Sequence, residues 1–262
     1  MDDTGQHLDH MRRTAPLVQN ITNYVAMNIM ANVMLAAGAS PAMVHAREEA
    51  AEFTGLAQAL TINIGTLSPA WADAMLESAV AAQAQGTPWI LDPVAVGATG
   101  YRRDIGARLL DLAPTVIRGN ASEIMALAGA DASGKGADTA DAVSQAQEAA
   151  SALARRTGGV VAVTGPVDFV TDGTRNAEVA NGHALMPRVT ALGCSLTGIV
   201  GAFTVGQDPF EATVAALAFF GLAGEQAAEG VRGPGTFQVA FIDALYTMTP
   251  EDLARGARIT LA

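Results

Sequence analysis

The sequence predicts an α/β fold with a mostly parallel central sheet and helices on both faces. Short apolar runs alternate with longer helical stretches up to about Gly165, and the pattern then changes to a hairpin followed by helices. Residues 16–21 (PLVQNI), 60–64 (LTINI), 88–93 (PWILDP), 115–119 (TVIRG) and 160–164 (VVAVT) read as buried strands. Each is rich in Val, Ile or Leu, and most end at or beside Asn, Gly, Asp or Pro. Helical stretches at 23–37, 69–85, 105–112 and 138–156 lie between them. Residues 167–171 and 176–179 flank the polar Asp172-Gly173-Thr174 turn and predict an antiparallel hairpin. From Gly193 the chain reads as helical, with breaks at Gln207-Asp208-Pro209 and Arg232-Gly233-Pro234-Gly235. One domain over residues 1–262 is expected, with residues 1–13 a flexible or helical extension.

Composition narrows the function. Half the residues are apolar and 16% are charged, enough for a large core. Lys+Arg 15 against Asp+Glu 26 gives a net charge of −11, which argues against nucleic-acid binding. Residues 24–44 and 189–206 carry no charge, but Asn, Gly, Pro, Ser and Thr interrupt them, so buried elements explain them better than membrane spans. The single Cys194 fits a reducing compartment, and the opening MDDTGQHLDHMRR lacks the apolar stretch of a secretory signal. A soluble, cytoplasmic protein is expected.

Several motifs fail. Residues 129–135 (GADASGK) match the first seven positions of a phosphate-binding loop, but Gly136 stands where a magnesium-binding hydroxyl is required. The segment also follows a helix instead of a strand, so it reads as a surface turn. Lys135 is the only lysine, which removes a protein-kinase arrangement. No GxGxxG follows a strand, and CxxC and HExxH are absent.

The strongest local signal is Ala191-Leu192-Gly193-Cys194 leading into SLTGIVGAFTVG. A glycine before a small-residue helix lets backbone amides converge on one anion, assisted by the helix dipole. Cys194 in the first helical turn would have its thiolate stabilised there; the plainer alternative is a packing cysteine. Asp92 closes a strand before Pro93, as a metal-organising carboxylate or a turn stop. Asn120 and Glu123 are spaced as a capping box and project from one helical turn. Arg118 and Thr164 end their strands, where open α/β sheets bind ligands, though an ion pair and a turn cap are the ordinary readings.

Taken together, these segments resemble the hydroxyethylthiazole kinases of the ribokinase-like superfamily. The resembling segments are Val18-Gln19-Asn20-Ile21-Thr22-Asn23-Tyr24-Val25, Leu91-Asp92-Pro93-Val94 with Gly97, the Asn-x-x-Glu of Asn120 to Glu123, Val163-Thr164-Gly165, Gly193-Cys194, and Gly233-Pro234-Gly235-Thr236-Phe237-Gln238. They run in the family's order from about Pro16 to Tyr246, while Ala191-Leu192 replaces an expected Gly-Thr or Gly-Ser pair. The resemblance implies a ribokinase-like three-layer sandwich and ATP-dependent phosphorylation of 4-methyl-5-(2-hydroxyethyl)thiazole. It implies Cys194 as the catalytic residue, Met43, Gly193 and Asn23 at the substrate, and Arg118 and Thr164 at ATP. It further implies Mg2+ near Asp92 and Glu123, and a homotrimer with active sites between subunits. The rival readings are another ribokinase-like kinase, a non-catalytic thiazole or nucleotide sensor, and a repair dehydratase on the same fold. His45 and His183 receive no role.

Overall fold

The computed structural model describes residues 4–129 and 139–261. Residue 138, where one helix was expected to begin, and residues 130–135 of the rejected phosphate-loop segment lie outside them. Among the described residues, nine strands form one sheet in the order β2-β1-β3-β4-β5-β6-β7-β8-β9. They are β1 (Leu17–Ile21), β2 (Ser40–Ala42), β3 (Ala59–Asn63), β4 (Trp89–Asp92), β5 (Val116–Asn120), β6 (Val160–Thr164), β7 (Asp168–Thr171), β8 (Asn176–Val179) and β9 (Ile259–Leu261). The first six run parallel and the last three extend the sheet antiparallel. The helices are α1 (Thr4–Thr14), α2 (Met27–Ala37), α3 (Arg47–Thr54), α4 (Pro69–Gln85), α5 (Gly100–Leu110), α6 (Ala121–Leu127), α7 (Thr139–Thr157), α8 (Leu192–Thr204), α9 (Pro209–Ala228), α10 (Pro234–Thr247) and α11 (Pro250–Gly256).

Alternation along the strands builds two cores. Val18, Ile90, Val116 and Ala162 face the layer of α1, α2, α8, α9 and α10. Leu60, Leu91, Ile117 and Val161 face the opposite layer of α4 to α7. Three layers result, as expected. Gly198 and Gly201 explain why α8 is a small-residue helix. A Cβ at Gly198 would sit 2.5 Å from the Met34 sulfur, and one at Gly201 2.9 Å from Thr61 Cγ2. A larger residue would have to displace Met30 and Met34 at Gly198, or Thr61 at Gly201.

Helix boundaries follow local chemistry. Ser68 caps α4 by accepting from the Trp71 amide, and Gly86 ends it at φ 70°. The expected helix at 23–37 starts later, at Met27, because the Ala26 amide donates to the Asn23 side chain and closes a separate turn first. Helix α5 starts earlier than the expected 105 because Thr99 caps it. Of residues 1–13, those from Thr4 onward belong to α1, with Leu8 and Met11 fully buried. Arg12 ties α1 to the carbonyls of Ala37, Leu245 and Met248. At its other end, a Cβ on Gly5 would sit 2.4 Å from the Pro250 carbonyl oxygen, so α1 lies directly on α11. No helix among the described residues is long and apolar enough to cross a membrane.

Candidate active site

Strand register decides which polar side chains meet. Asn63 is level with Asp92, and Asn120 with Thr164. Asp92 and Arg118 lie two residues beyond the paired Ile90 and Val116. With a side-chain period of two, all five carry their side chains to the α8 face at the carboxyl ends of the strands. The α8 amino terminus arrives at the same place.

Asp92 is completely buried, and its Oδ2 accepts from Asn63 Nδ2 at 2.7 Å and Thr197 Oγ1 at 2.8 Å. Asn23 Nδ2 donates to Asn63 Oδ1 at 2.9 Å and to Cys194 Sγ at 3.3 Å. One chain of hydrogen bonds therefore joins Cys194, Asn23, Asn63, Asp92 and Thr197. Arg118 Nη1 lies 3.7 Å from Asp92 Oδ2, while its guanidinium donates to the Gly193 carbonyl and to Thr164 Oγ1. Burial pushes the Asp92 carboxyl up to about 6, aided by the negative charge of Glu123 and opposed by Arg118 and the Thr197 and Asn63 bonds.

The expectation of a stabilised Cys194 thiolate is not met. Burial raises its pKa, and the Asp92 charge raises it further, against the Asn23 bond and Arg118. The helix start is also shifted from the sequence reading. Helix α8 begins at Leu192, and Ala191 precedes it at φ 62°, ψ 9° with no side-chain cap. A non-glycine residue is disfavoured in this left-handed conformation. The first intrahelical bond of α8 runs from the Ser195 amide to the Ala191 carbonyl. The amides of Leu192, Gly193 and Cys194 precede it, and helical geometry gives them no intrahelical acceptor.

Glu123 serves two loops. Its Oε2 accepts from the Asn120 amide, and Asn120 Oδ1 accepts from the Glu123 amide, forming the expected capping box. Its Oε1 accepts from the amide of Ala95, a residue at φ 53° just beyond Asp92. Arg118, Thr164 and Gly193 border a cavity of about 790 Å3, continued by Asn181, Gly182 and His183 toward an apolar end at Leu217 and Phe220. Asp168, beside it, is pushed up to about 6 by burial, against the Gly165 amide bond and Arg118. Met43 stands apart from the hydrogen-bonded chain. It follows edge strand β2, half-buried, with its carbonyl 3.2 Å from His45 Nδ1.

Sequence reading missed Asn63, Thr197, Asp168 and the cavity wall at Asn181 to His183. A signal existed for Asn63: a polar residue in an apolar strand, two beyond Thr61, which itself donates to Asn20. Thr197 lies three residues after Cys194, one helical turn on.

The residues fit a magnesium ion in one respect that the structure itself supplies. Asp92 Oδ1 is buried without a hydrogen-bond partner, as a carboxylate oxygen reserved for a cation would be. No cluster of three or more His, Cys, Asp or Glu able to hold a metal occurs among the described residues. Magnesium nucleotides ordinarily need only one or two carboxylates, because phosphates and waters complete the shell.

A three-layer sandwich with a polar cavity at the parallel strand ends defines the class: a ribokinase-like α/β protein. The fold is shared with a Staphylococcus aureus pyridoxal kinase solved with AMP-PCP and pyridoxal, at a TM-score of 0.66 and 13% identity over 94% of this chain and 98% of that one. A hydroxyethylthiazole kinase structure from Pyrococcus horikoshii superposes at a TM-score of 0.92 with 40% identity over the whole of both chains. Among curated relatives, a hydroxyethylthiazole kinase from Cereibacter sphaeroides is 69% identical over 100% of both chains. One from Rhizobium leguminosarum is 61% identical over 98% of this chain and 97% of its own. The model of the hydroxyethylthiazole kinase family matches residues 8–251. This chain belongs to the hydroxyethylthiazole kinase family.

Proposed function

We propose that this protein transfers the γ-phosphoryl group of ATP to the primary hydroxyl of 4-methyl-5-(2-hydroxyethyl)thiazole, giving the phosphate ester used in thiamine synthesis. The observation that carries this reading is the hydrogen-bonded chain from Cys194 to Asp92, lying under the open amides of α8 beside a nucleotide-sized cavity. Family membership over the full chain supports it. Arg118 and Thr164 are assigned to the ATP phosphates, the α8 amides at Gly193 to the transferred group, and Asn23, Gly193 and Met43 to the thiazole alcohol.

Phosphoryl transfer passes through a loose transition state, so positioning and charge neutralisation outweigh a strong base. A Cys194 side chain suits that demand by shaping the acceptor site, with no strong base required of it. Asn23 holds Cys194 and Asn63 with one amide nitrogen, which fixes the acceptor pocket relative to the carboxylate. Asp92, and Glu123 through water, would hold Mg2+, which when bound neutralises phosphate charge. Replacing Cys194 by Asp is expected to leave activity within about tenfold of the parent, as positioning-dominated transfer requires. A loss of several orders of magnitude in a folded C194D variant would make the thiol itself essential.

A homotrimer in the cytoplasm completes the reading, supported by the exposed Tyr24, Val25 and Leu35 on and just before α2. Light scattering should give three times the 26.7 kDa chain mass, and a monomer would remove the trimer but not the reaction. The reaction is tested by incubating purified protein with Mg-ATP and the thiazole alcohol and identifying the product by mass spectrometry. A thiazole-dependent phosphate ester, absent without magnesium, supports it. Thiazole binding with ATP left intact would make the protein a sensor.

A further inference from the structure

Arg102 is an oddly placed cation. It sits in the first turn of α5, where the Thr99 cap accepts its amide and the helix dipole disfavours positive charge. No acidic side chain pairs with it among the described residues, so neither helix propensity nor an ion pair explains its position. Its guanidinium is instead spent on backbone carbonyls. Nη1 donates to Ile64 and Val94, and Nη2 donates to Gly65 at 2.7 Å.

Those three carbonyls belong to the loops that carry the candidate site. Ile64 and Gly65 directly follow Asn63, and Val94 lies two residues beyond Asp92. Gly65 is pressed against the polar chain: its amide donates to Asn63 Oδ1, and a Cβ there would sit 2.9 Å from Asn23 Nδ2. Ala95, the neighbour of Val94, gives its amide to Glu123. One planar fork thus bridges the loop after β3 and the loop after β4, whose Gly65 and Ala95 amides bond to Asn63 and Glu123. A guanidinium suits this task because its donors are rigidly spaced and its charge cannot be lost.

We propose that Arg102 is a positioning residue that clamps the two strand-end loops and so fixes the Asn23–Asn63–Asp92 chain for phosphoryl transfer. Its effect on turnover rests on the kinase reading given above, whereas the clamp itself does not. The phosphate-facing groups lie on β5, β6 and α8, outside the clamped loops, so loss of Arg102 should damage turnover and spare nucleotide affinity.

The test compares the parent with Arg102→Ala and Arg102→Lys, using Mg-ATP and the thiazole alcohol. Folded Arg102→Ala is expected to lose about 10²-fold in kcat, the usual cost of a misplaced site, with the KM for ATP within about twofold. Millimolar guanidinium, too dilute to denature, should restore part of that kcat and leave the parent unchanged. Arg102→Lys, which keeps the charge without the fork, should fall between the two and serves if the alanine variant fails to fold. An unchanged kcat in the folded variants, a loss confined to the KM for ATP, or absence of guanidinium rescue would overturn the proposal. Amide hydrogen exchange of residues 63–66 and 92–96 reads the clamp without any turnover. Faster exchange in the variants supports it, and unchanged exchange overturns it. A parent protein that leaves the thiazole untouched defeats the proposed reaction, and the exchange result then decides the clamp alone.

Discussion

Two aspartates at opposite ends of the sheet meet opposite surroundings. At the carboxyl ends, Asp92 is fully buried, one oxygen has no partner, and burial pushes its pKa up to about 6. At the amino ends, Asp172 follows β7 and accepts from the Thr174 and Arg175 amides, the Thr174 hydroxyl and the Arg175 guanidinium. Arg175 also pairs with Asp208 and covers the Phe210 ring at 4.5 Å. Despite some burial, these donors hold the Asp172 carboxyl well below the usual range. One aspartate is stabilised by its folded surroundings. The other is held charged at a cost to the fold, as functional sites commonly are.

That contrast yields predictions, starting with the largest effect. Asp92→Asn retains an oxygen for the Thr197 and Asn63 donors but removes the buried charge. Activity should fall by about 10²–10³-fold, the usual cost of losing a group that stabilises transferred charge. Stability should not fall with it. A raised folded pKa means that the native state binds its proton more tightly than the unfolded chain. Raising the pH from about 4 to about 6 therefore removes stability, on the order of 3 kcal/mol. At neutral pH without magnesium, thermal unfolding of Asp92→Asn should match or exceed the parent. An active variant, or a clearly less stable one, breaks the comparison.

Glu123→Ala comes next. It should lose most activity at saturating magnesium and also about 1 kcal/mol of stability, because the α6 capping box disappears. Full activity would overturn the metal assignment. At the amino end the sign reverses. Asp172→Asn should leave kcat unchanged and cost about 1 kcal/mol, read by urea unfolding at neutral pH. Because the Asp172 pKa is depressed on folding, its contribution is present above pH of about 4 and fades as pH falls below that value. The stability gap between parent and variant should therefore close in acid. The smallest effect belongs to Ala191→Gly, which relieves a left-handed residue at a helix cap and should stabilise by about 0.5–1 kcal/mol.

The sequence made the six parallel strands legible, except the three-residue β2, which is too short to carry a pattern. It could not announce β9, because three residues of edge strand carry too little pattern. That Asp92, Arg118, Thr164 and Gly193 converge was legible, since strand ends and helix starts meet at one edge of such folds. Thr197 was hidden because it looks like the interior of an apolar helix, and Asn63 stood out only as a polar residue in an apolar strand. Only the register of β3 on β4 and the turn of α8 reveal that both point at Asp92. The choice between the two readings of Cys194, thiolate or packing thiol, was beyond local sequence for a related reason. Its local helix terminus favours a thiolate, but burial, and then the charge of Asp92, distant in sequence, win in the folded state. Likewise, Ala191 takes a conformation normally signalled by glycine, so the start of α8 was placed late.

The contact between α1 and α11 has a consequence for how the molecule is made. On the ribosome, Leu8 and Met11 emerge long before Pro250 to Gly256, which α1 packs against. At roughly 5–20 residues per second, that interval is on the order of tens of seconds. During it the apolar side of α1 has no seat, and the layer of α8, α9 and α10 is still being synthesised. The contact between the earliest and latest helices can therefore form only once nearly the whole chain has been made. The other layer, α4 to α7, has its strands and helices in hand well before.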